Sequence, residues 1–480
     1  MLQDERRQTI LDAVKKIEQE RNGAHVDMPA KVFDEVVNLC EWPDVLVGKF
    51  DQEFLEVPHE IICESMLTNQ RYFPIYDAEG KLTREFVVVS NADPACAATV
   101  IDGNERVVRA RLSDAKFFYE EDLSCDMEQF VDRLKTVVFQ EKLGTVYQKS
   151  QRIEKLAEFI AQLAGASEEV IARSVRSAHL AKADLVSQAV IEFTSQQGVM
   201  GGYYASAKGE PSEVADAIRE HYRPRFAGDE LSSVEEGRIV ACADKMDTIC
   251  GIFAIGEPPT GSSDPFAVRR ATIGVIALLK TMPSVSLDKV CDLSLAQYKQ
   301  QGIDFDADEV KTAILKFFLG RMRAIVRDEG VQADTIEAVS ATSVSSPLEF
   351  MRRAHALEDA RAKDSELFED LAVAYARAAH LGRVSLGCDV DKSIMGDAEV
   401  CLLEACEAGT KNVDEALASG NYEAALRALA DLRGPIDRFF DDVLVMDEDT
   451  SVRENRLKLL NVFTSVFDGV ANIGALAKKK

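Results

Sequence analysis

Gly256-Glu257-Pro258-Pro259-Thr260-Gly261-Ser262-Ser263-Asp264-Pro265-Phe266-Ala267-Val268-Arg269-Arg270 is the most informative stretch of the chain. Two prolines and Gly261 form a rigid, turn-rich loop. Ser263 or Asp264 is placed to cap a helix, and Pro265 suits a helical first turn because its missing N–H has no partner to lose there. The apolar spacing then predicts a helix running from Phe266 through Ile273 and Ile276 to Leu279. Arg269 and Arg270 fall just inside its N-terminus, where the partial positive charge of the helix adds to theirs and attracts phosphate. The competing reading is a capped core helix whose arginines are simply solvated.

Outward from this loop, the chain reads as predominantly helical and multidomain. Residues 1–22 carry Ile10, Leu11, Val14 and Ile17 on one helical face. Val45–Phe50 reads as a strand. Tyr72–Tyr76, the turn Asp77–Gly80 and Phe86–Ser90 read as a hairpin. Asn104 is placed to cap a helix bearing Arg106, Arg109 and Arg111. Residues 1–144 are thus expected to form an α/β module. From 145 the periodicity is helical, with its sharpest break between Gly251 and Gly261. Thr342–Pro347 is a serine-rich linker candidate, and Lys478–Lys480 a disordered tail. The expected divisions are 1–144, 145–260, 261–345 and 346–480.

Composition narrows the function classes. The chain has 480 residues, is 46% hydrophobic and carries a formal charge of −26. It can build several cores, and it repels polyanions as a whole. The ten cysteines include no Cys-x-x-Cys, which argues against structural zinc and a disulfide framework. No apolar run is long enough to cross a bilayer, and the N-terminus has no signal region, so a cytoplasmic protein is expected. No Gly-x4-Gly-Lys-Ser/Thr loop and no class I or class II synthetase signature appears. Nucleic-acid binding must therefore rest on local clusters. One is Lys316, Arg321, Arg323 and Arg327; a second is Arg453, Arg456 and Lys458. Each also reads as an ordinary solvated helix face.

The Pro-rich segment closely resembles one in the β subunit of bacterial glycyl-tRNA synthetase, although Ser263 stands where that family usually has lysine. Further segments match in order: Gln70–Pro74, Asn104–Leu112, Lys182–Val186, Glu192–Thr194, Gln197–Gly201, Tyr203–Ala205, Tyr222–Asp229, Ala243–Asp247 and Arg453–Leu457. The resemblance implies a non-catalytic, tRNA-recognising subunit. Its α partner would supply the ATP, Mg and adenylate chemistry within an α2β2 assembly acting on tRNA(Gly), and this chain itself would need no cofactor and no membrane. It also implies a further N-terminal portion upstream of Met1, without which assembly with the α subunit is open.

Three segments carry their own resemblances. Residues 145–260 are similar to HD domains, which hold divalent metal through a His, a His-Asp pair and a later Asp. Asp184 and Asp244 match the two aspartates. Ala183 stands in place of the paired histidine, and Lys149 aligns near the first. A degenerate site without metal is implied, with the aspartates pairing to Lys149 or Lys182. The alternative is an active metal-dependent phosphohydrolase that recruits His179 or His221. Residues 261–345 resemble the body and tail of CCA-adding enzymes, which implicates Lys316, Arg321 and Arg323, beside Arg269 and Arg270, in tRNA contact. The C-terminal segment resembles the anticodon-binding domain of arginyl-tRNA synthetase, with Arg453, Asn455, Arg456 and Lys458 as candidate contacts. The competing reading there is that Arg453 or Arg456 bridges to Asp442, Asp447 or Asp449 and holds the loop.

Overall fold

The computed structural model describes residues 1–342 and 346–476. Residues 343–345 of the serine-rich linker candidate fall outside them, and the Lys478–Lys480 tail wholly so. The chain is mainly α and divides into two compact units. The first comprises residues 1–155, 169–222 and 232–240; the second comprises 156–168, 223–231 and 241–480. The expected 145–260 segment contributes to both.

In the first unit, α1 (Gln3–Glu20), β1 (His25–Val26), α2 (Ala30–Leu39), β2 (Asp44–Lys49), α3 (His59–Glu64), β3 (Phe73–Tyr76), β4 (Leu82–Ser90) and α4 (Ala97–Ser124) build the α/β module. Its antiparallel sheet has the order β1-β3-β4-β2. Side chains alternate across β4, as a pleated strand requires. Val87 joins Phe73 and Ile75 against Ile10, Val14 and Ile17 of α1 and Phe33 and Val37 of α2. Phe86 and Val88 face the other way, into a larger core with Val108 and Leu112 of α4. The α1 periodicity holds, except that Leu11 is exposed. Asn104 does not cap a helix. α4 already begins at Ala97, and Asn104 lies inside it, donating to Val100 O and bonded to the Tyr72 hydroxyl.

The helical remainder of this unit follows α5 (Met127–Arg133) and the small ribbon β5 (Val138–Gln140) and β6 (Gly144–Thr145). α6 (Val146–Ala164), whose residues from 156 onward belong to the second unit, α7 (Glu168–Leu180), α8 (Gln188–Glu192), α9 (Val199–Ala207) and α10 (Ser212–Glu220) succeed them. α11 (Glu235–Ala254) carries the chain into the second unit.

The second unit is all helical among its described residues. α12 (Val268–Leu279), α13 (Leu287–Gln300), α14 (Ala307–Asp328) and α15 (Ala333–Ser340) form one packed group; α12, α13 and α15 all touch α14. α16 (Pro347–Lys363), α17 (Ser365–Leu381), α18 (Asp397–Ala418), α19 (Tyr422–Ala430), α20 (Arg433–Asp442) and α21 (Thr450–Ser465) form the C-terminal bundle. There α18 packs on α19, α20 and α21, and α17 packs on α21. No helix of the described residues is long and apolar enough to cross a membrane.

Candidate functional site

The residues matched to the HD pattern are buried, but they are turned to structural work. Asp184 is fully buried. Its Oδ2 accepts the N–H groups of Gly198 at 2.6 Å and Gly201 at 2.9 Å. The carboxylate therefore sits on the N-terminus of α9, where free N–H groups and the helix dipole favour an anion. Close approach requires a glycine at 201: a Cβ there would meet Asp184 Oδ2 at 3.1 Å and Ile218 at 2.8 Å. Oδ1 has no hydrogen-bond partner. Burial pushes the Asp184 carboxyl up to about 6, against the lowering effect of the Gly198 and Gly201 donors and the Lys182 charge.

The potential recruits are engaged elsewhere. Lys182 Nζ donates to His221 Nε2 at 2.9 Å and lies 3.8 Å from the centre of the Tyr222 ring. His221 Nδ1 donates to Ile218 O. His179 lies between Glu154 and Glu128, at 3.1 and 3.0 Å. Lys149 is buried, with its ammonium 4.6 Å from the Phe139 ring centre. Asp244 is buried on α11. Among the described residues no three His, Cys, Asp or Glu side chains gather in a group able to hold a metal ion. With an alanine at 183 and the Lys182 charge acting on Asp184, this donor set does not fit the divalent metal of an HD phosphohydrolase. The expected pairing of Asp184 with a lysine is replaced by pairing with backbone.

The Pro-rich loop departs from its expected form in one respect. α12 starts at Val268, not Phe266, because Ala267 takes a left-handed conformation at φ 53°. Pro265 lies outside the helix. Asp264 caps it from a distance, accepting from Val268 N at 2.7 Å and Arg269 N at 3.0 Å. The N-terminal anion seat is thus filled by a carboxylate of the chain, and Arg269 donates to Thr260 O. Arg270 remains exposed.

On α21 the arginines are bound inside the domain. The Arg456 Nε donates to Glu399 at 2.8 Å, and its Nη1 reaches Leu444 O at 2.8 Å and Asp447 at 2.7 Å. Its side chain is 15% exposed and that of Glu399 4%. Arg453 donates to Asp447 O and Thr450 Oγ1. Asn455 is buried and pins Asp391 through both of its backbone groups. Asp449 caps α21 through Ser451 N. The Asp449 N–H and the Arg456 guanidinium hold the Asp447 carboxylate below its usual range. Lys458 is half-buried; its charge assists the Ser393 hydrogen bonds that hold Asp391 low.

α14 is the opposite case. Lys316, Arg321, Arg323 and Arg327 lie on one helix, and among the described residues no carboxylate pairs with any of them. The Arg321 guanidinium lies 5.0 Å from the Phe317 ring centre. Phe317 meets Phe253 edge to face, with centroids 5.5 Å apart. Together with Pro258, Ala313 and Gly320 these side chains line an open groove of about 430 Å³. Residue patterning singled out the cations and placed Pro258 in the turn-rich loop, but it did not bring Phe253, Phe317 and Gly320 beside them. The available signal was a glycine inside a helical run, Lys316-Phe317-Phe318-Leu319-Gly320-Arg321.

Comparison with known proteins bears on all these segments. Residues 1–341 match the family model of the glycyl-tRNA synthetase beta subunit, and residues 371–474 that of the DALR anticodon binding domain. Similar chains include the glycine–tRNA ligase beta subunit of Vibrio parahaemolyticus, 43% identical over 460 residues, covering 95% of this chain and 66% of that one. That of Acinetobacter baumannii is 40% identical over 477 residues, covering 98% and 68%. That of Haemophilus influenzae is 42% identical over 464 residues, covering 95% and 65%. The chain spans about two thirds of the length of these curated relatives. With a family model matched over most of its length and relatives at this identity across nearly all of it, the chain belongs to the glycyl-tRNA synthetase beta subunit family.

Proposed function

We propose that this chain is the tRNA-recognising, non-catalytic β subunit of a glycine–tRNA ligase, working with an α subunit that carries ATP, Mg, glycine and the adenylate chemistry. The observation that carries this reading is the pair of family models, which cover residues 1–341 and 371–474 and so account for most of the chain with a synthetase subunit and an anticodon-binding domain. The substrate is tRNA(Gly), the assembly an α2β2 heterotetramer, and the compartment the cytoplasm. The α14 cations, which meet no carboxylate among the described residues, support an RNA-facing surface on a chain whose formal charge of −26 disfavours polyanions elsewhere. Of the candidate contacts, Lys316, Arg321, Arg323 and Arg270 keep their donors available. Lys458 adds charge at the edge of α21. Arg269, Arg453, Asn455 and Arg456 shape the loops around them.

The test is glycylation of tRNA(Gly) by the matching α subunit, with and without this chain, alongside direct tRNA binding to the chain. The expected result is glycylation above that of α alone, and no glycyl-adenylate formed by the chain by itself. Equal glycylation with and without the chain, together with no tRNA affinity, overturns the reading.

A further inference from the structure

We propose that the α14 groove is a seat for one unstacked nucleotide of a single-stranded RNA segment. Lys316 and Arg321 would hold its flanking phosphates, and the base would rest on the Phe317–Arg321 platform. The proposal rests on the tRNA reading for the identity of the RNA, but not for the class of ligand.

Three observations converge. First, Lys316 and Arg321 both line the groove, and among the described residues neither meets a carboxylate. Phe317, Phe253 and Pro258 line it beside them and make an apolar surface. Such a surface offers nothing to a phosphodiester, and a duplex keeps its bases inside the stack. Cations beside an aromatic surface suit a base that has left the stack.

Second, the platform is already assembled. The Arg321 guanidinium lies 5.0 Å from the Phe317 ring centre, and Phe253 braces that ring edge to face. Bases stack on guanidinium planes as well as on rings.

Third, nothing among the described residues requires a glycine at 320. It lies in the interior of α14, where glycine is less stable than alanine. A Cβ there would meet no atom within 4 Å. Ala313 and Gly320 lie one turn to either side of Phe317 on the same face of the helix. Their small size leaves both flanks of the ring uncovered. The face of α14 that lines the groove is therefore left open at this point.

The experiment compares hexauridylate, whose bases are largely unstacked, with a short blunt RNA duplex and with tRNA(Gly). The proteins are the wild-type chain, Gly320→Leu, Phe317→Leu and the double variant Lys316→Gln/Arg321→Gln. Gly320→Leu is expected to fill the groove and lower hexauridylate affinity about tenfold, with the melting temperature unchanged or raised and duplex affinity unaltered. Phe317→Leu keeps the packing against Phe253 and loses the stacking face, so it should follow the same pattern. The double variant should flatten the slope of log affinity against log salt by about 1.4 for hexauridylate. Wild-type affinity for Gly320→Leu, or equal losses for duplex and single strand, overturns the proposal. If tRNA binds wild type and Gly320→Leu alike, the groove fails while the tRNA reading stands. If hexauridylate binding depends on the groove but tRNA does not bind at all, the groove stands and the tRNA reading falls.

Discussion

α14 and α21 carry similar densities of positive charge, and the fold uses them in opposite ways. Each arginine of α21 meets a partner from its own domain: Arg456 reaches Glu399, Leu444 O and Asp447, and Arg453 reaches Asp447 O and Thr450. Lys316, Arg321, Arg323 and Arg327 of α14 meet no carboxylate among the described residues. Counting cations along a helix therefore does not designate an RNA surface. What distinguishes the two is whether other elements bring acceptors to the same face. In a chain with 82 acidic against 56 basic residues, an arginine without a carboxylate is the more informative observation.

The largest effect is expected at Arg456. Arg456→Ala would leave Oε1 of the nearly buried Glu399 carboxylate and the Leu444 carbonyl without this donor, while Glu399 Oε2 keeps the N–H of Gly396. Removing one partner of a buried, multiply bonded pair costs about 3–5 kcal/mol, and somewhat less here because Asp447 is partly solvated. Thermal melting should show this loss, while the folded fraction binds tRNA as wild type does. Retained stability with lost tRNA affinity would break the contrast and make α21 an RNA surface.

Asp184 extends the same distinction to an anion held entirely by the chain. Its folded-state pKa is raised from 3.8 to about 6, so the folded protein holds this proton more tightly than the unfolded chain does. The associated stability is present at low pH and is lost as pH rises through about 6. Relative to Asp184→Asn, wild type should lose about 1–3 kcal/mol between pH 4 and pH 7. Denaturant titrations of both proteins across that range measure the difference directly. A flat difference would mean that the carboxylate is already ionised at pH 4, held by more than the α9 N-terminus.

The smallest effect on stability belongs to α14. Replacing Lys316, Arg321, Arg323 and Arg327 together with glutamine should change stability by no more than about 0.5 kcal/mol per site, because no ion pair is lost. The same change should weaken tRNA binding and flatten its salt dependence by about 0.7–0.9 for each phosphate contact removed. A large drop in melting temperature with unchanged binding would reverse the contrast between the two helices.

Local patterns in the sequence went a long way. The α1 face of Ile10, Val14 and Ile17, the β3–β4 hairpin about Asp77–Gly80, and the helical character beyond residue 145 follow from periodicities of 3.6 and 2, which neighbouring residues enforce without help from the rest of the chain. The quoted motifs carried the family. Helix starts were less legible. Asn104 and Phe266 looked like beginnings, but α4 begins upstream at Ala97, and Ala267 turns left-handed so that Asp264 can cap from outside. Capping chemistry shows where a helix can start, and the packing of its flanks chooses among the possibilities.

What the sequence by itself determined, then, is the mainly helical class, strands β2, β3 and β4 of the sheet, and the family. What only the tertiary structure decided is the employment of each charge. Arg456 meets Glu399 across 57 residues, and Asn455 meets Asp391 across 64. Asp184 reaches the amides of Gly198 and Gly201 rather than the lysine two positions before it. The physical reason is range. Periodicity and capping act over a few residues, whereas desolvation and ion pairing depend on whatever the fold brings within about 4 Å, and separation along the chain does not encode that.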